Sequence, residues 1–472
     1  MPFRDTVVVV LAAGQGTRMR SELPKVVHEV LGRPLVHYSL VAAREAGAER
    51  PPVVVVGHGR DKVEASVRAL WPEAQFAVQL EQRGTADAVA SARPFFGDAR
   101  RVLILSGDVP GPTPGVLRRL VDSLDETGAP LAVVGFTPPD ATGYGRCVHG
   151  AGGEFLRIVE HKDAVRAGLD DVLAERRCNA GIYLADRELL ERTLERVEAN
   201  NAQGELYLTD IVRFAEGRAQ LVLVKDPGEV EGVNDRSQLA QAEAHARAGR
   251  NAALMRHGVT FVDPSRTSVG WDAVLDNDVV LEADVVIRGR TRINRGARIG
   301  QGSVLTDAVV RMGAELLPYC VVTEAEVGEE ATVGPFAHLR PGSVLGRKAK
   351  VGNFVETKKA RLADGAKANH LTYLGDCTIG RDTNVGAGTI TCNYDGVDKH
   401  QTVIGDRVFI GSNTEIVAPC RIGDEAVVGA GTTVTGDVPS GSLALSRAPQ
   451  VNVEGWATRK GPWVRKARKG GH

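Results

Sequence analysis

Residues 404–434 read "IGDRVFIGSNTEIVAPCRIGDEAVVGAGTTV", and one feature of this stretch decides the fold of the second half of the chain. An aliphatic residue stands at every sixth position. A helix repeats every 3.6 residues and a simple strand every two, so neither has a period of six. A parallel β-helix does, because each aliphatic side chain fills the same interior position of successive coils. The six positions in this stretch are Ile404, Ile410, Ile416, Ile422, Val428 and Val434.

The same period covers much of the chain before residue 404. Glycine often follows the aliphatic residue, as at Gly405 and Gly411, and we expect it to relieve a tight corner. Two insertions interrupt the period, at about residues 358–378 and 390–401. Because loops that leave a solenoid usually form its binding face, we predict that they carry the chemistry of this domain. The upstream aliphatic positions are Leu281, Ile287, Ile293, Ile299, Leu305, Val327, Val333, Leu339, Leu345, Val351, Ile379 and Val385.

The first half of the chain has a different pattern. Short runs rich in Val, Ile and Leu, such as "VVVVLAA", "PPVVVVG", "RVLILSGD" and "LAVVGFT", alternate with helical stretches. Continuous apolar strands separated by helices predict a parallel sheet covered on both faces. An alanine-rich stretch without proline at 237–257 predicts a linking helix. We therefore divide the chain into an α/β domain at 1–236, this helix, a β-helix domain at 258–456 and a basic tail at 457–472.

The loop after the first strand, in "VVVVLAAGQGTRM", carries two glycines and then turns basic. A dinucleotide fold needs a third glycine where Met19 stands and an acidic residue about 20 positions later, and a Walker loop needs Gly-Lys-Ser/Thr, so both are excluded. Instead, Arg18 and Lys25 bring two cations to the N–H groups around Gly14 and Gly16. This arrangement predicts a site for a triphosphate.

The composition argues against several classes of protein. Lys and Arg total 58 against 59 Asp and Glu, so the net charge of −1 favours neither nucleic acid nor an anionic membrane as a partner. The six cysteines form no Cys-x-x-Cys pair, which argues against zinc or a disulfide framework and favours a reducing compartment. No run approaches the roughly 20 apolar residues of a membrane span. Together these features predict a cytoplasmic protein.

Motifs occur in a fixed order from about residue 5 to residue 456. The first half holds "LAAGQGTRM…LPK", "GTADA", "GDVP", "TGYGR", "VEHKD", "GELYLTD" and "VEGVND"; the second holds "GPFAHLRPG", "VGNFVETKKARL", "NHLTYLGD", "VGAGTITCNYDG" and "SRAPQ". Together they closely resemble the bacterial bifunctional enzymes that combine N-acetylglucosamine-1-phosphate uridylyltransferase with glucosamine-1-phosphate N-acetyltransferase. The resemblance implies a Rossmann-like α/β nucleotidyltransferase domain, a linking helix and a left-handed parallel β-helix of hexapeptide repeats.

The activity that the resemblance implies has two steps. Acetyl-CoA first acetylates glucosamine-1-phosphate, and UTP then reacts with N-acetylglucosamine-1-phosphate to release pyrophosphate. The product, UDP-N-acetylglucosamine, supplies precursors of peptidoglycan and lipopolysaccharide. The resemblance also implies Mg²⁺ as a cofactor and a homotrimer with acetyl-transfer sites between subunits.

For the first domain, the implied reaction needs no protein nucleophile, so catalysis consists of positioning and charge neutralisation. Arg18 and Lys25 match the residues that neutralise the phosphates. Asp108 and Asn234 match those that bind Mg²⁺, which prefers a few protein oxygens completed by water and phosphates. The full implied nucleotide-sugar set is Leu11, Ala12, Ala13, Gly14, Lys25 and Asn234, the uracil readers Gln79, Gly84 and Thr85, and the sugar-binding Gly145, Glu160 and Asn179.

For the second domain, the substrate amine must lose a proton before it attacks the thioester, and histidine suits a base near neutral pH. His370 in "NHLTYLGD" matches the family's catalytic histidine. The residues implied for the sugar phosphate are Arg340, Lys358, Tyr373, Asn384 and Lys399. Those implied for acetyl-CoA are Ala387, Asn393, Tyr394, Ser412, Ala430 and Arg447.

Four positions depart from the family pattern. Ser106 stands where tyrosine is frequent, Ala180 where threonine is common, Gln15 where lysine is frequent and Asn369 where glycine is common. These departures bear on fine sugar contacts, nucleotide affinity and loop geometry rather than on the type of reaction.

Two other readings remain open at this point. The chain is either a glucose-1-phosphate or mannose-1-phosphate nucleotidyltransferase with a regulatory β-helix, or a protein whose solenoid only trimerises it. Both predict no acetyl transfer, so a thiol-release assay with acetyl-CoA and glucosamine-1-phosphate separates them from the bifunctional reading. The basic tail either steers the phosphates of coenzyme A or only adds solubility.

Overall fold

The computed structural model describes residues 3–461 and contains two compact units. Within these residues, the first unit extends to Leu254 and includes Ser268–Trp271, and the second comprises Met255–Thr267 and the chain from Asp272 onward. Most of the predicted basic tail, residues 462–472, lies outside the described residues.

A mixed sheet with helices on both faces forms the first unit. Its strands are β1 (Thr6–Leu11), β2 (Glu29–Val30), β3 (Arg33–Pro34), β4 (Val53–Val56), β5 (Gln75–Val78), β6 (Arg101–Ser106), β7 (Leu131–Phe136), β8 (Arg146–His149), β9 (Phe155–Val159), β10 (Cys178–Asp186) and β11 (Ala219–Leu223). The sheet order is β5-β4-β1-β6-β10-β7-β11-β9-β8, and β2 and β3 form a separate hairpin. The helices are α1 (Leu35–Ala46), α2 (Arg60–Leu70), α3 (Thr85–Ala92), α4 (Pro114–Thr127), α5 (His161–Ala167), α6 (Asp170–Ala174), α7 (Arg187–Leu194), α8 (Ile211–Phe214) and α9 (Arg236–Arg256).

Strand β1 shows why the predicted strands read as continuous apolar runs. Val8 and Val10 pack into one core cluster and Val7 and Val9 into another, and all four are at most 3% exposed. Both faces of the strand are therefore buried, which removes the alternation of a half-exposed strand. β1 pairs in parallel with β4 and β6, as predicted. β10 is an exception, because it runs antiparallel between β6 and β7.

Helix α9 covers the alanine-rich stretch in which a helix was predicted. No helix within residues 3–461 combines the length and the apolar character that a membrane crossing requires.

The second unit is a solenoid of short parallel strands in two sheets. The first sheet contains Thr260–Phe261, Val280–Leu281, Arg298–Ile299, Glu315–Leu316, Thr332–Val333, Lys350–Asn353, Lys367–His370, Asn384–Val385, Phe409–Ile410, Val427–Val428 and Leu443–Ala444. The second contains Val274–Leu275, Val286–Arg288, Arg292–Ile293, Val304–Thr306, Val309–Val310, Val321–Thr323, Glu326–Val327, His338–Leu339, Val344–Leu345, Glu356–Leu362, Tyr373–Ile379, Ile390–Cys392, Thr402–Ile404, Glu415–Val417, Cys420–Ile422 and Thr433–Val434. A short helix, α10 (Trp456–Lys460), follows the last strand.

The predicted interior positions are confirmed. Every aliphatic residue of the six-residue period is at most 4% exposed. Residues one coil apart pair in register, as Leu281 does with Ile299 and Ile404 with Ile422. That separation equals three hexapeptides, so each hexapeptide supplies one face of a three-sided coil.

The glycines that follow these aliphatic residues act differently from the prediction. A Cβ added to Gly380 would lie 2.3 Å from the carbonyl carbon of Gly405, and one added to Gly411 would lie 2.4 Å from the nitrogen of Ala430. Neither Gly380 nor Gly411 has a positive φ, whereas non-glycine residues such as Asp382 do. Glycine is needed at these positions because the backbone of the next coil passes too close for a side chain, not because the turn demands its conformational freedom.

The prediction of an insertion at residues 358–378 is wrong, because this stretch forms an ordinary coil. The strand Glu356–Leu362 pairs in parallel with Tyr373–Ile379. Thr357 and Ala368 fill interior positions and are fully buried. Thr357 pairs with Leu374 only 17 positions later, so a one-residue deletion and two small interior residues hide the period.

The second predicted insertion is confirmed for residues 393–401. Ile390–Cys392 belongs to the sheet, but Cys377 pairs with Thr402 at a separation of 25 positions, seven more than in the regular coils. The extra residues form a loop closed by a bridge between Tyr394 and Lys399.

Candidate active sites

The loop that follows β1 is open to an anion. Leu11 ends the strand, and the N–H groups of Ala13, Gly14 and Gly16 donate no hydrogen bond to any described residue. Gly16 has a φ of +61°, and a Cβ there would lie 2.7 Å from Cβ of Lys25. A side chain is therefore excluded on two grounds, and a row of N–H groups is left to bind phosphate oxygens.

Four predicted residues of the first unit converge beside this loop. Arg18 Nη2 donates to Asn234 Oδ1 at 2.8 Å, and Lys25 Nζ donates to the same oxygen at 3.2 Å. Lys25 also forms a salt bridge with Asp108, and its side chain is 13% exposed. The N–H of Val233 donates to the carbonyl of Asp108 at 2.9 Å, which holds the two loops together. Two cations and two oxygen ligands thus share one small volume.

The donor set at this point fits a magnesium ion. Asp108 offers a carboxylate and Asn234 an amide oxygen, and both contact the same ammonium group of Lys25. Mg²⁺ is a hard cation that takes one or two protein oxygens and completes its shell with water and substrate phosphates. Among the described residues no group of three or more His, Cys, Asp and Glu side chains forms a metal cage, so magnesium would depend on the nucleotide for the rest of its ligands.

Of the three predicted uracil readers, Gln79 lies at a cavity of about 390 Å³. Gln79 lines this cavity and is 6% exposed, and its Nε2 donates to the carbonyl of Gly84 at 3.2 Å. Thr85 Oγ1 accepts from the N–H of Leu208 at 2.9 Å. A Cβ on Gly84 would lie 2.5 Å from the carbonyl oxygen of Leu206, so the "GELYLTD" segment backs the turn closely.

The predicted sugar-binding residues also lie together. The carbonyl of Gly145 accepts from the N–H of Asn179 at 2.9 Å, and a Cβ on Gly145 would lie 3.2 Å from Oε1 of Glu160. Asn179 Nδ2 donates to the hydroxyl of Tyr183 at 2.7 Å across a bulge in β10. Burial raises the pKa of Glu160 to about 6, and the charge of Asp163 adds to the shift. The carboxyl is therefore partly protonated in mildly acid solution.

The structure shows where the three residues of the first unit that depart from the family pattern lie. Ser106 Oγ would lie 3.3 Å from a Cβ on Gly181, so the small side chain faces the bulge of β10. Ala180 is buried in the core, and Gln15 lines the cavity beside Gln79.

His370 is exposed at the end of its strand, on a corner of the solenoid. Its Nδ1 lies 2.7 Å from Oδ1 of Asn353, the residue with which it pairs in the preceding coil. Because an amide oxygen can only accept, Nδ1 carries the proton and the lone pair of Nε2 is left free. The imidazole is thus held in a tautomer whose Nε2 can accept a proton.

Four of the six residues predicted for acetyl-CoA, namely Ala387, Ser412, Ala430 and Arg447, follow His370 along the same corner, whereas Asn393 and Tyr394 lie in the loop at 393–401. Successive coils are linked by hydrogen bonds: from Gly388 N–H to His370 O at 3.4 Å, from Asn413 N–H to Ala387 O at 2.8 Å, from Gly431 N–H to Ser412 O at 2.8 Å, and from Arg447 Nη1 to Ala430 O at 2.7 Å. Coils stack about 4.8 Å apart, so the corner runs for roughly 19 Å. The corner therefore runs from His370 to Arg447.

The cations predicted for the sugar phosphate form a separate group. The neighbouring ammonium of Lys399 lowers the pKa of Lys358, and the Arg340 guanidinium adds to this effect. Arg340 Nη1 donates to Glu356 Oε1 at 2.7 Å. Asn393 reaches the same region, because its Nδ2 donates to Asp376 Oδ2 at 2.5 Å and Asp376 interacts with Lys358. A dianion would relieve the repulsion among three converging cations.

His370 and these cations lie on different sheets of the solenoid. His370 ends a strand of the first solenoid sheet, whereas Lys358 lies in the second and pairs with Gly375. Four residues lie between His370 and Gly375, and the chain turns a corner there, where Leu371 has a φ of +48°. Tyr373 lies between them, and Asn384 lies in the first sheet.

Three residues that sequence reasoning missed lie in these sites. Asn353 orients His370, Glu356 binds Arg340, and Asp87 binds Gln79 at 2.8 Å. Asn353 precedes His370 by 17 positions, the length of one short coil, and this spacing was a usable signal. No pattern in the sequence pointed to the other two.

Comparisons with known proteins agree with both halves of the fold. The MobA-like NTP transferase domain family matches residues 8–175, and the bacterial transferase hexapeptide family (six repeats) matches residues 401–436. These matches confirm the predicted fold class, a nucleotidyltransferase domain followed by a left-handed β-helix.

Full-length relatives carry one name. Proteins called "Bifunctional protein GlmU" are 49% identical in Sorangium cellulosum, 51% in Anaeromyxobacter sp. and 44% in Marinobacter nauticus. Each alignment covers 96% of this chain, and covers 96%, 92% and 98% of the respective relative.

Proposed function

The chain belongs to the family of the bifunctional protein GlmU, and from this premise we propose which residues carry each of its two reactions. The protein synthesises UDP-N-acetylglucosamine. It transfers an acetyl group from acetyl-CoA to glucosamine-1-phosphate, and a uridylyl group from UTP to N-acetylglucosamine-1-phosphate. The reading as a nucleotidyltransferase with only a regulatory β-helix is not favoured, because the bifunctional relatives align over both halves.

In uridylyl transfer, the loop after β1 holds the triphosphate. Its free N–H groups take the phosphate oxygens, and Arg18 and Lys25 neutralise the charge that builds up as the α-phosphorus is attacked. The sugar phosphate oxygen forms the new bond to phosphorus while the bond to pyrophosphate breaks. The protein supplies no nucleophile, and its contribution is alignment and charge.

Asp108 and Asn234 would hold Mg²⁺ at the phosphates. The ion supplies charge neutralisation of the leaving pyrophosphate when it is bound. In the present structure the Lys25 ammonium contacts both of these side chains, which indicates that their oxygens stabilise a positive charge at this point. We assign Gly145, Glu160 and Asn179 to the sugar, with the Glu160 carboxylate accepting from a hydroxyl group.

In acetyl transfer, His370 is the base. Nε2 takes a proton from the substrate ammonium, and the freed amine attacks the thioester carbonyl. The nitrogen then loses its second proton to the departing sulfur as the carbon–sulfur bond breaks, which releases the thiol. Asn353 keeps the ring in the required tautomer. The corner formed by Ala387, Ser412 and Ala430 receives the arm of acetyl-CoA, with Arg447 at its phosphate end.

The acceptor's phosphate binds to Arg340, Lys358 and Lys399. The amine and phosphate of glucosamine-1-phosphate stand on adjacent ring carbons, whereas His370 and these cations lie on different faces of one solenoid. We therefore propose a homotrimer in which a neighbouring copy completes each acetyl-transfer site. Light scattering that finds a fully active monomer refutes this assembly.

We also assign the enzyme to the cytoplasm, where UTP and acetyl-CoA are made. All six cysteines are free in the structure, which suits a reducing compartment.

The single observation that carries the bifunctional assignment is the corner that begins at the His370–Asn353 pair, because nucleotidyl transfer alone would not need it. The test is thiol release from acetyl-CoA with glucosamine-1-phosphate, measured beside pyrophosphate release from UTP. Pyrophosphate release without thiol release would refute the assignment of the corner.

A further inference from the structure

Gln79 is a buried amide at the proposed uridine cavity, and both of its N–H groups are already engaged. Nε2 donates to the carbonyl of Gly84 at 3.2 Å and to Oδ2 of Asp87 at 2.8 Å. Its Oε1 accepts no hydrogen bond from any described residue. The amide therefore has one group left with which to meet a ligand, and that group is an acceptor.

The two neighbours decide which way the amide faces. A carbonyl and a carboxylate only accept hydrogen bonds, so an amide turned by 180° would set Oε1 of Gln79 against two oxygens. Gly84 and Asp87 contribute to this orientation from opposite ends of a short segment: Gly84 precedes α3 and Asp87 lies in its first turn. With Asp87 absent, only one of the two contacts would oppose rotation.

Asp87 is itself held in place. Its side chain is 11% exposed, and its Oδ1 accepts from Arg83 Nη2 at 2.7 Å. Arg83 is 63% exposed, so this ion pair adds little stability to the fold. Its consequence is geometric: one carboxylate oxygen is engaged by Arg83, and the other points at Gln79.

The orientation of the Gln79 amide determines which base can bind, because uracil and cytosine present different hydrogen-bonding groups. Uracil presents its N3–H donor between two carbonyl acceptors, so Oε1 of Gln79 can accept from N3–H while the N–H of Gly84, which is free among the described residues, donates to the O4 carbonyl. Cytosine presents a bare N3 acceptor and an amino donor on the same edge. Acceptor would then meet acceptor and donor would meet donor.

We propose that Asp87, held by Arg83, fixes the amide of Gln79 with its oxygen toward the base and so makes the uridylyl site select UTP over CTP. Asp87 is a positioning residue, because it acts through Gln79 and touches no nucleotide. The inference rests on the proposed uridine site, in which Gln79 reads the base.

The test compares kcat/KM for pyrophosphate release from UTP and from CTP in the full-length protein. Asp87→Ala removes the acceptor, and Asp87→Asn is the matched control that keeps an oxygen of the same reach. We expect D87A to lower the UTP-to-CTP ratio about tenfold, the effect of one net hydrogen bond, while D87N stays within about threefold of the parent. Should D87A fail to fold, Asp87→Ser provides a polar side chain too short to reach Gln79. Acetyl transfer by the same samples reports the amount of intact protein.

Either of two results overturns the role of Asp87: an unchanged ratio in D87A, or equal losses in D87A and D87N. Gln79→Leu tests the premise separately. If Q79L leaves kcat/KM for UTP unchanged, the uridine site itself is wrong. If Q79L lowers it while D87A keeps the ratio, only the positioning role fails.

Discussion

Replacing His370 by alanine tests the division of labour between the two units. The imidazole is exposed and is hydrogen-bonded to the side chain of Asn353, so its loss leaves no cavity. Loss of this one hydrogen bond on the surface changes the free energy of unfolding by about 1.5 kcal/mol or less. The catalytic effect is expected to be far larger, because loss of a general base costs about 10²–10⁴-fold. That range corresponds to about 3–5 kcal/mol in activation free energy.

Asn353→Ala should lower acetyl transfer by a smaller factor than His370→Ala. It removes a hydrogen bond of 2.7 Å to His370 but leaves the base in place. One net hydrogen bond is worth about 0.5–1.5 kcal/mol, so acetyl transfer should fall about two- to tenfold. The order of the two variants therefore follows from the structure: H370A is the slower enzyme by at least about tenfold.

The assay measures thiol release over a range of glucosamine-1-phosphate concentrations. We expect kcat to fall in H370A with little change in KM, because the phosphate is assigned to Arg340, Lys358 and Lys399. Uridylyl transfer by the same sample should be unchanged. His257→Ala is a matched control, since this histidine is exposed and lies outside both sites.

Two results would refute this reasoning. Full acetyl transfer across neutral pH in H370A would mean that another group is the base. Parallel loss of both activities would mean that His370 supports folding or assembly rather than proton transfer.

Three further predictions follow from the same geometry. Burial raises the pKa of Glu160 to about 6, so the carboxylate that binds the sugar becomes protonated as pH falls below that value. KM for N-acetylglucosamine-1-phosphate should then rise about tenfold for each further unit of pH. Glu160→Gln should remove this dependence of KM on pH. The same shift favours the folded state at low pH, and this stabilisation is lost as pH rises through about 6, which urea titrations of the parent and E160Q would reveal. Removing Mg²⁺ with EDTA should abolish uridylyl transfer, which uses Asp108 and Asn234, and spare acetyl transfer; equal sensitivity would contradict the metal assignment. Ile410→Ala leaves a cavity at a fully buried interior position and should lower the free energy of unfolding by about 2–5 kcal/mol. Acetyl transfer should then be lost at a lower temperature than in the parent. An unchanged unfolding temperature would contradict the interior assignment.

Local periodicity accounts for what the sequence determined by itself. Ile404, Ile410 and Ile416 repeat at six because each occupies one interior position, and that rule holds within a few residues of chain. The buried strands of the first unit were equally visible, since Val7 to Val10 are covered on both faces. The loop after β1 was also predictable, because two glycines followed by Arg18 and Lys25 have a local chemical meaning.

Tertiary structure decided whatever depends on residues that are distant along the chain or on exceptions to the period. Arg18 meets Asn234 across 216 positions, and no local rule predicts that contact. The coil at 358–378 was misread because Thr357 and Ala368 fill interior positions that the pattern reserves for larger aliphatics. Asn353 became visible as the partner of His370 only once successive coils were stacked, because a side-chain hydrogen bond is set by the register between coils and not by the order of residues within one.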